Sequence, residues 1–189
     1  MDSVLIVSSS EKAAGLLVPM LSENGIVSLT TAKTAGEARR MTIERDFDLC
    51  IINAPLSDET GEALSRDLAR GGDSQVIILV RAELSDAVAN AVEDDGVLVV
   101  GKPVKAAVMR SVLRLTKAAS NRMSALKTKN RALLQKIEDI RLIDRAKCIL
   151  IEYLRMSETQ AHHYIEKQAM DMRMTKREVA LNILKTYEE

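Results

Sequence analysis

In the stretch FDLCIINAPLSDETG (47–61), the apolar run at 49–52 ends at Asn53, and Gly61 follows eight residues later. If the run is a buried strand, Asn53 stands at its carboxyl end, the edge of an open α/β sheet where ligands and chemistry collect. A carboxylate there could hold a metal ion or accept a phosphoryl group. A neutral amide is a weak metal ligand and no useful nucleophile. Glu11 and Asp58 are the acids near enough in sequence to be recruited instead. His162-His163 resembles a metal pair only on paper, because adjacent helix positions diverge by about 100°. Cys50 and Cys148 lie in unrelated apolar contexts without metal-ligand spacing and are expected to be buried free thiols. The other residues with chemical potential are cations. Arg141, Arg145 and Lys147 form one group, and Arg173, Lys176 and Arg177 form another. Lys176 and Arg177 fall in a first helical turn, whose free N–H groups also bind phosphate.

The elements that must position these residues change character near residue 103. All eight glycines and all three prolines lie at or before Pro103, and no helix breaker follows. Before that point, apolar runs at 4–7, 26–30, 49–52, 76–80 and 97–100 alternate with helical patterns at 11–23, 34–45, 62–70 and 83–93. Near-continuous apolar strands separated by helices predict a parallel sheet covered on both faces. After it, residues 104–154 read as one long helix, on the order of 75 Å at 1.5 Å per residue. Within it, Met109, Thr116, Met123, Asn130 and Ile137 alternate with Val112, Ala119, Leu126, Leu133 and Ile140 at four- and three-residue steps. That is a coiled-coil seam, and a single polar Asn130 in it favours one register and a parallel dimer. The predicted dimer contacts are Met123, Leu126, Asn130, Leu133, Ile137 and Ile140. Two further helices announce themselves by capping boxes, Ser157 with Gln160 and Thr175 with Glu178. With the end of the long helix they predict a small three-helix bundle.

The 189 residues carry a formal net charge of zero, unevenly spread. Residues 1–120 hold 13 Lys/Arg against 17 Asp/Glu, and residues 121–189 hold 14 against 10. The split points to two modules with different partners. No stretch approaches 18 uninterrupted apolar residues, so no membrane span is expected. MDSVLIVSSSEK has no basic leader region and reads as a strand; the expected location is cytoplasmic.

The five-strand pattern resembles a response-regulator receiver domain, which implies a flavodoxin-like, doubly wound α/β fold. Receivers carry two acids after the first strand, a phospho-accepting Asp ending the third, a hydroxyl residue after the fourth and a Lys-Pro pair after the fifth. These positions fall here on Ser8 and Ser9, on Asn53, on Val80, and on Lys102-Pro103, with Gly61 also in place. Only the Lys-Pro pair and the glycine agree with the family. The resemblance implies a pseudo-receiver, with the scaffold but without the phosphorylation chemistry and without a cofactor. Lys102 is expected to hydrogen-bond Asn53 or the serine hydroxyls.

The C-terminal pieces RAKCILIE (145–152), MSETQAHHYI (156–165), KQAMDMRMT (167–175) and EVALNIL (178–184) resemble the ANTAR domain. Ala146, Ala161, Ala169 and Ala180 fall where helices must approach closely. Cys148 replaces a common glycine at a position expected to be packed. The resemblance implies an RNA-binding antiterminator that holds paired stem-loops of a leader transcript. Arg141, Arg145, Lys147, Arg173, Lys176 and Arg177 are the expected phosphate contacts, and binding should fall steeply with salt. Tyr153, Tyr164 and Tyr187 lie on or near apolar stripes and are expected in the core. The expected organisation is a pseudo-receiver at 1–117, a coiled-coil linker at 118–136 and an ANTAR domain at 137–189, with no enzymatic activity. The partners are leader RNA, a second copy of the chain and a sensor protein. The alternatives are a DNA-binding regulator, a protein adaptor and a phosphorylatable receiver. The DNA reading is disfavoured by the largely apolar last helix, which offers few base readers beyond Asn182 and Lys185.

Overall fold

A computed structural model describes residues 3–187. By contacts the chain divides into two compact units, one ending at Arg122 and the other beginning at Met123. This break falls inside the span read as a linker.

The first unit holds five strands, β1 (Ser3–Val7), β2 (Ser28–Ala32), β3 (Leu49–Asn53), β4 (Gln75–Arg81) and β5 (Leu98–Lys102). All neighbours pair in parallel, in the order β2-β1-β3-β4-β5. Helices α1 (Glu11–Ser22), α2 (Ala35–Glu44), α3 (Glu62–Gly71) and α4 (Ser85–Val92) connect them. Successive side chains of a strand point to opposite faces, and the core divides accordingly. Leu5, Cys50, Ile52 and Ile78 pack against α2, α3 and α4 through residues such as Ala38, Leu64 and Val88. Val4, Ile6, Leu49, Ile51 and Ile77 pack against Ala14, Leu17 and Leu21 of α1. A sheet buried on both faces is why these strands read as continuous apolar runs.

Two elements differ from the sequence reading. β2 starts at Ser28, two residues later than expected, and is half exposed along its length. It is an edge strand, whereas Ile26 closes the core from the preceding loop and Val27 lies in solvent. The helix expected at 83–93 is α4 alone, flanked by single 3₁₀ turns at 82–84 and 93–95.

Helix α5 (Ala106–Leu154) runs for 49 residues. Its start completes the first unit, where Met109, Val112 and Leu113 join the α1 side of the core. The second unit packs the end of α5 with α6 (Glu158–Met172) and α7 (Lys176–Tyr187). Ala146, Ala161, Ala169 and Ala180 are all buried at this centre, with Leu150, Ile165, Ile183 and Leu184 around them. Both predicted capping boxes form. Ser157 Oγ accepts from Gln160 N while Gln160 Oε1 accepts from Ser157 N. Thr175 Oγ1 accepts from Glu178 N while Glu178 Oε2 accepts from Thr175 N. Cys50 is buried as expected, and burial pushes its thiol up to about 12. Cys148 is exposed, contrary to expectation. Neighbouring Ala146, Ile149 and Leu150 take the inward positions of that turn, which leaves Cys148 facing out.

Candidate functional site

The strand end at Asn53 is closed by neutral groups. Asn53 Nδ2 donates to Ser8 Oγ at 2.9 Å. Ser8 is buried; its hydroxyl donates to Ser10 O at 3.0 Å and accepts from Ser10 N at 3.3 Å. Ser9 is exposed and turns to Lys33 O at 3.4 Å. Val80 is buried in the core on the α2–α4 side. Lys102 Nζ donates to the carbonyl of Ala54, not to Asn53 or a serine. Asn53 points its Nδ2 donor at Ser8, and the carbonyl of Ala54, just past the end of β3, is the acceptor that Lys102 reaches. Burial first, and then the Arg81 charge, lower the Lys102 pKa.

The two nearby acids are committed elsewhere. Glu11 pairs with Lys33 at 2.7 Å, and that hydrogen bond holds its carboxyl below the usual range. Asp58 accepts from the backbone N–H groups of Ala35 and Gly36 at 3.0 and 3.1 Å, so it caps α2. These bonds, Ala35 first, lower its pKa. Among the described residues, no three His, Cys, Asp or Glu side chains gather as a metal set. Gly61 has a packing reason instead of a chemical one. It adopts φ +96°, and a Cβ there would lie 3.1 Å from Ile52 Cγ2.

On α5, the first part of the predicted seam is already used. Met109 and Thr116 are fully buried, and Thr116 Oγ1 bonds back to Val112 O at 2.8 Å. Met109 packs in the core of the first unit and Thr116 is buried in that same unit, so they are no part of a seam between chains. From 121 to 138 every residue is exposed. Met123, Leu126, Leu133, Ile137 and Ile140 form an apolar line there, 47% to 58% exposed, with Asn130 in the line.

In the bundle, the predicted cations Lys147, Lys176 and Arg177 are tied into ion pairs. Lys147 meets Asp144 at 2.8 Å and Glu158 at 3.3 Å. Lys176 Nζ lies 2.6 Å from Glu166 Oε1, and Arg177 lies 2.6 Å from Asp139. These contacts staple α7 to α6 and to α5. The Lys176 hydrogen bond lowers the Glu166 pKa, and Gln135 first, then Arg177, lowers that of Asp139. His162 and His163 both turn to Glu166, at 3.2 and 3.5 Å. Arg141, Arg145 and Arg173 are exposed. Arg173 closes α6 in the left-handed region at φ +53°.

The tyrosines depart most from expectation. Tyr153 and Tyr164 are exposed, and only Tyr187 packs partly on the core. Small alanines let the helices approach too closely for rings to enter between them. The Tyr153 and Tyr187 rings lie 5.5 Å apart, tilted by 41°. Tyr164, Gln168, Asn182, Thr186 and Tyr187 line an open cleft of about 200 Å³ floored by Leu150 and Ile183. Sequence reasoning missed Gln168 and Thr186. The signal was present: Tyr164, Gln168 and Met172 recur every four residues on one face of α6.

Comparison with known proteins agrees with this architecture. The response regulator receiver domain pattern matches residues 4–114, and the ANTAR domain pattern matches residues 131–184. The transcriptional regulatory protein PdtaR of Mycobacterium tuberculosis is 25% identical over 170 residues, 90% of this chain and 83% of that protein. Protein PetR of Rhodobacter capsulatus is 32% identical over 76 residues, 40% of this chain and 32% of that one. A CheY-like receiver domain from Methanospirillum hungatei superposes with a TM-score of 0.56 at 20% identity, covering 66% of this chain and 98% of that one. A two-component response regulator from Clostridium difficile gives 0.56 at 19% identity, over 62% and 97%. The chain belongs to the response regulators, with a receiver domain at 4–114 followed by an ANTAR domain at 131–184.

Proposed function

We propose that the chain is an RNA-binding transcription antitermination regulator whose receiver domain is not phosphorylated. Two copies join through α5, and their bundles hold the paired stem-loops of a leader transcript. The terminator hairpin then fails to form and transcription continues. The observation that carries this reading is the ANTAR domain at 131–184, in a half of the chain with excess positive charge. Kinship with a transcriptional regulatory protein supports it. The reading of an unphosphorylated receiver rests on Asn53, a neutral amide bonded to neutral Ser8, and on Glu11 and Asp58, which bond to other groups. A sensor protein that docks without transferring a phosphoryl group fits such a domain, and a cytoplasmic site of action fits the whole. The proposed boundaries remain 1–117, 118–136 and 137–189.

The direct test is binding of a two-hairpin leader RNA against duplex DNA of equal length across a salt series. RNA should bind far more tightly, with affinity falling steeply as salt rises; equal affinity for both would defeat the RNA reading. Incubation with a small phosphodonor and Mg²⁺ should leave the intact mass unchanged. A stable phospho-adduct would defeat the pseudo-receiver reading.

A further inference from the structure

The three tyrosines are the chain's main aromatic resource, beside a single phenylalanine and no tryptophan, and all three lie in the bundle. A small core short of apolar area would normally bury them. Instead Tyr164 and Tyr187 flank the open cleft between α6 and α7, and Tyr153 lies against the Tyr187 ring. Beside the rings stand two carboxamides, Gln168 and Asn182. Among the described residues neither side chain is engaged in a hydrogen bond, although Asn182 O accepts from Thr186 Oγ1 at 2.8 Å. A carboxamide offers a donor and an acceptor side by side, the pattern that matches the edge of a nucleobase. Lys167, Arg173 and Lys185 adjoin the cleft's residues in sequence and are exposed. Among the described residues no ion pair engages them, in contrast to Lys147, Lys176 and Arg177.

We propose that this cleft holds one unpaired base of the RNA. The base stacks on Tyr164 or Tyr187, Gln168 and Asn182 pair with its edge, and Lys167, Arg173 and Lys185 take the flanking phosphates. Single-stranded loops are recognised by such a combination, because an unstacked base presents both its face and its edge. The inference rests on the RNA reading above and adds where the loop is read. It also moves the main phosphate contacts from the ion-paired cations to the unpaired ones.

The test uses the full-length chain and a two-hairpin RNA selected by it from a pool with randomised loops. Tyrosine fluorescence should be quenched on binding, and with no tryptophan present the signal comes from the bundle alone. Tyr164→Leu should weaken binding by about tenfold or more and reduce the quenching, whereas Tyr164→Phe should stay close to wild type. Gln168→Leu combined with Asn182→Leu should level the base preference at one loop position. These two side chains lie outside the core, so that variant decides the matter if Tyr164→Leu proves unfolded by circular dichroism. If the wild type binds RNA, and the folded variants bind as tightly with the same loop preference, the cleft assignment is overturned while the RNA reading stands. If the wild type selects no RNA from the pool, the RNA reading itself has failed.

Discussion

Arg173 ends α6 at φ +53°, a conformation that costs an L-residue about 1 kcal/mol or more and glycine almost nothing. Its backbone N–H still closes the helix on Ala169 and Met170 carbonyls. Arg173→Gly should therefore stabilise the bundle by about 1 kcal/mol in a urea melt, while RNA binding weakens through the lost cation. Asn53 makes the opposite case. Restoring a carboxylate there supplies a nucleophile but no metal ligands, because Ser8 and Ser9 are neutral and Val80 offers no hydroxyl. Asn53→Asp should gain no phosphoryl group from a small donor with Mg²⁺, read by intact mass. The neutrality of Asn53, Ser8 and Ser9 was legible from residue types alone, because charge needs no coordinates. The Lys102 partner was not, since a backbone carbonyl carries no sequence signal.

At the scale of elements, the caps were the most legible features, because a Ser or Thr with Glu or Gln three residues on is a local geometry. Glu178 in the second box has its pKa lowered, by the Thr175 backbone N–H first and the Thr175 hydroxyl second. A carboxylate with a depressed folded pKa stabilises fully above its unfolded value, near 4.3, and loses that contribution as pH falls through the folded one. Glu178→Gln keeps the capping acceptor but removes the titration. Melting temperatures measured from pH 7 to pH 3 should thus fall less steeply in acid for the variant than for the wild type. Helix α5 shows where a periodic pattern misleads. Its heptad runs without a break from Met109, yet Met109 and Thr116 are buried in their own domain and Met123 onward is exposed. Periodicity states which face is apolar and is silent on what covers it. The tyrosines were misplaced for a related reason, since lying on an apolar stripe does not place a ring inside a bundle centred on alanines. Leu133→Glu with Ile137→Glu puts charge on the exposed line alone. It should convert a dimer to a monomer in sedimentation while both units keep their melting transitions.

For the whole molecule, the proposed pairing through the stretch 121–138, exposed at every residue, would tie the state of the protein to its amount. A line of apolar side chains that pairs with a second copy is covered in proportion to how many chains there are. At low occupancy the paired fraction grows linearly with total concentration, and the number of pairs with its square. RNA titrations at several fixed protein dilutions should accordingly fail to superimpose, with half-saturation shifting as pairs dissociate. A covalent mark on a receiver reports an event and then decays. A helix face that pairs with a second copy would report abundance, continuously, with synthesis and degradation as its two controls.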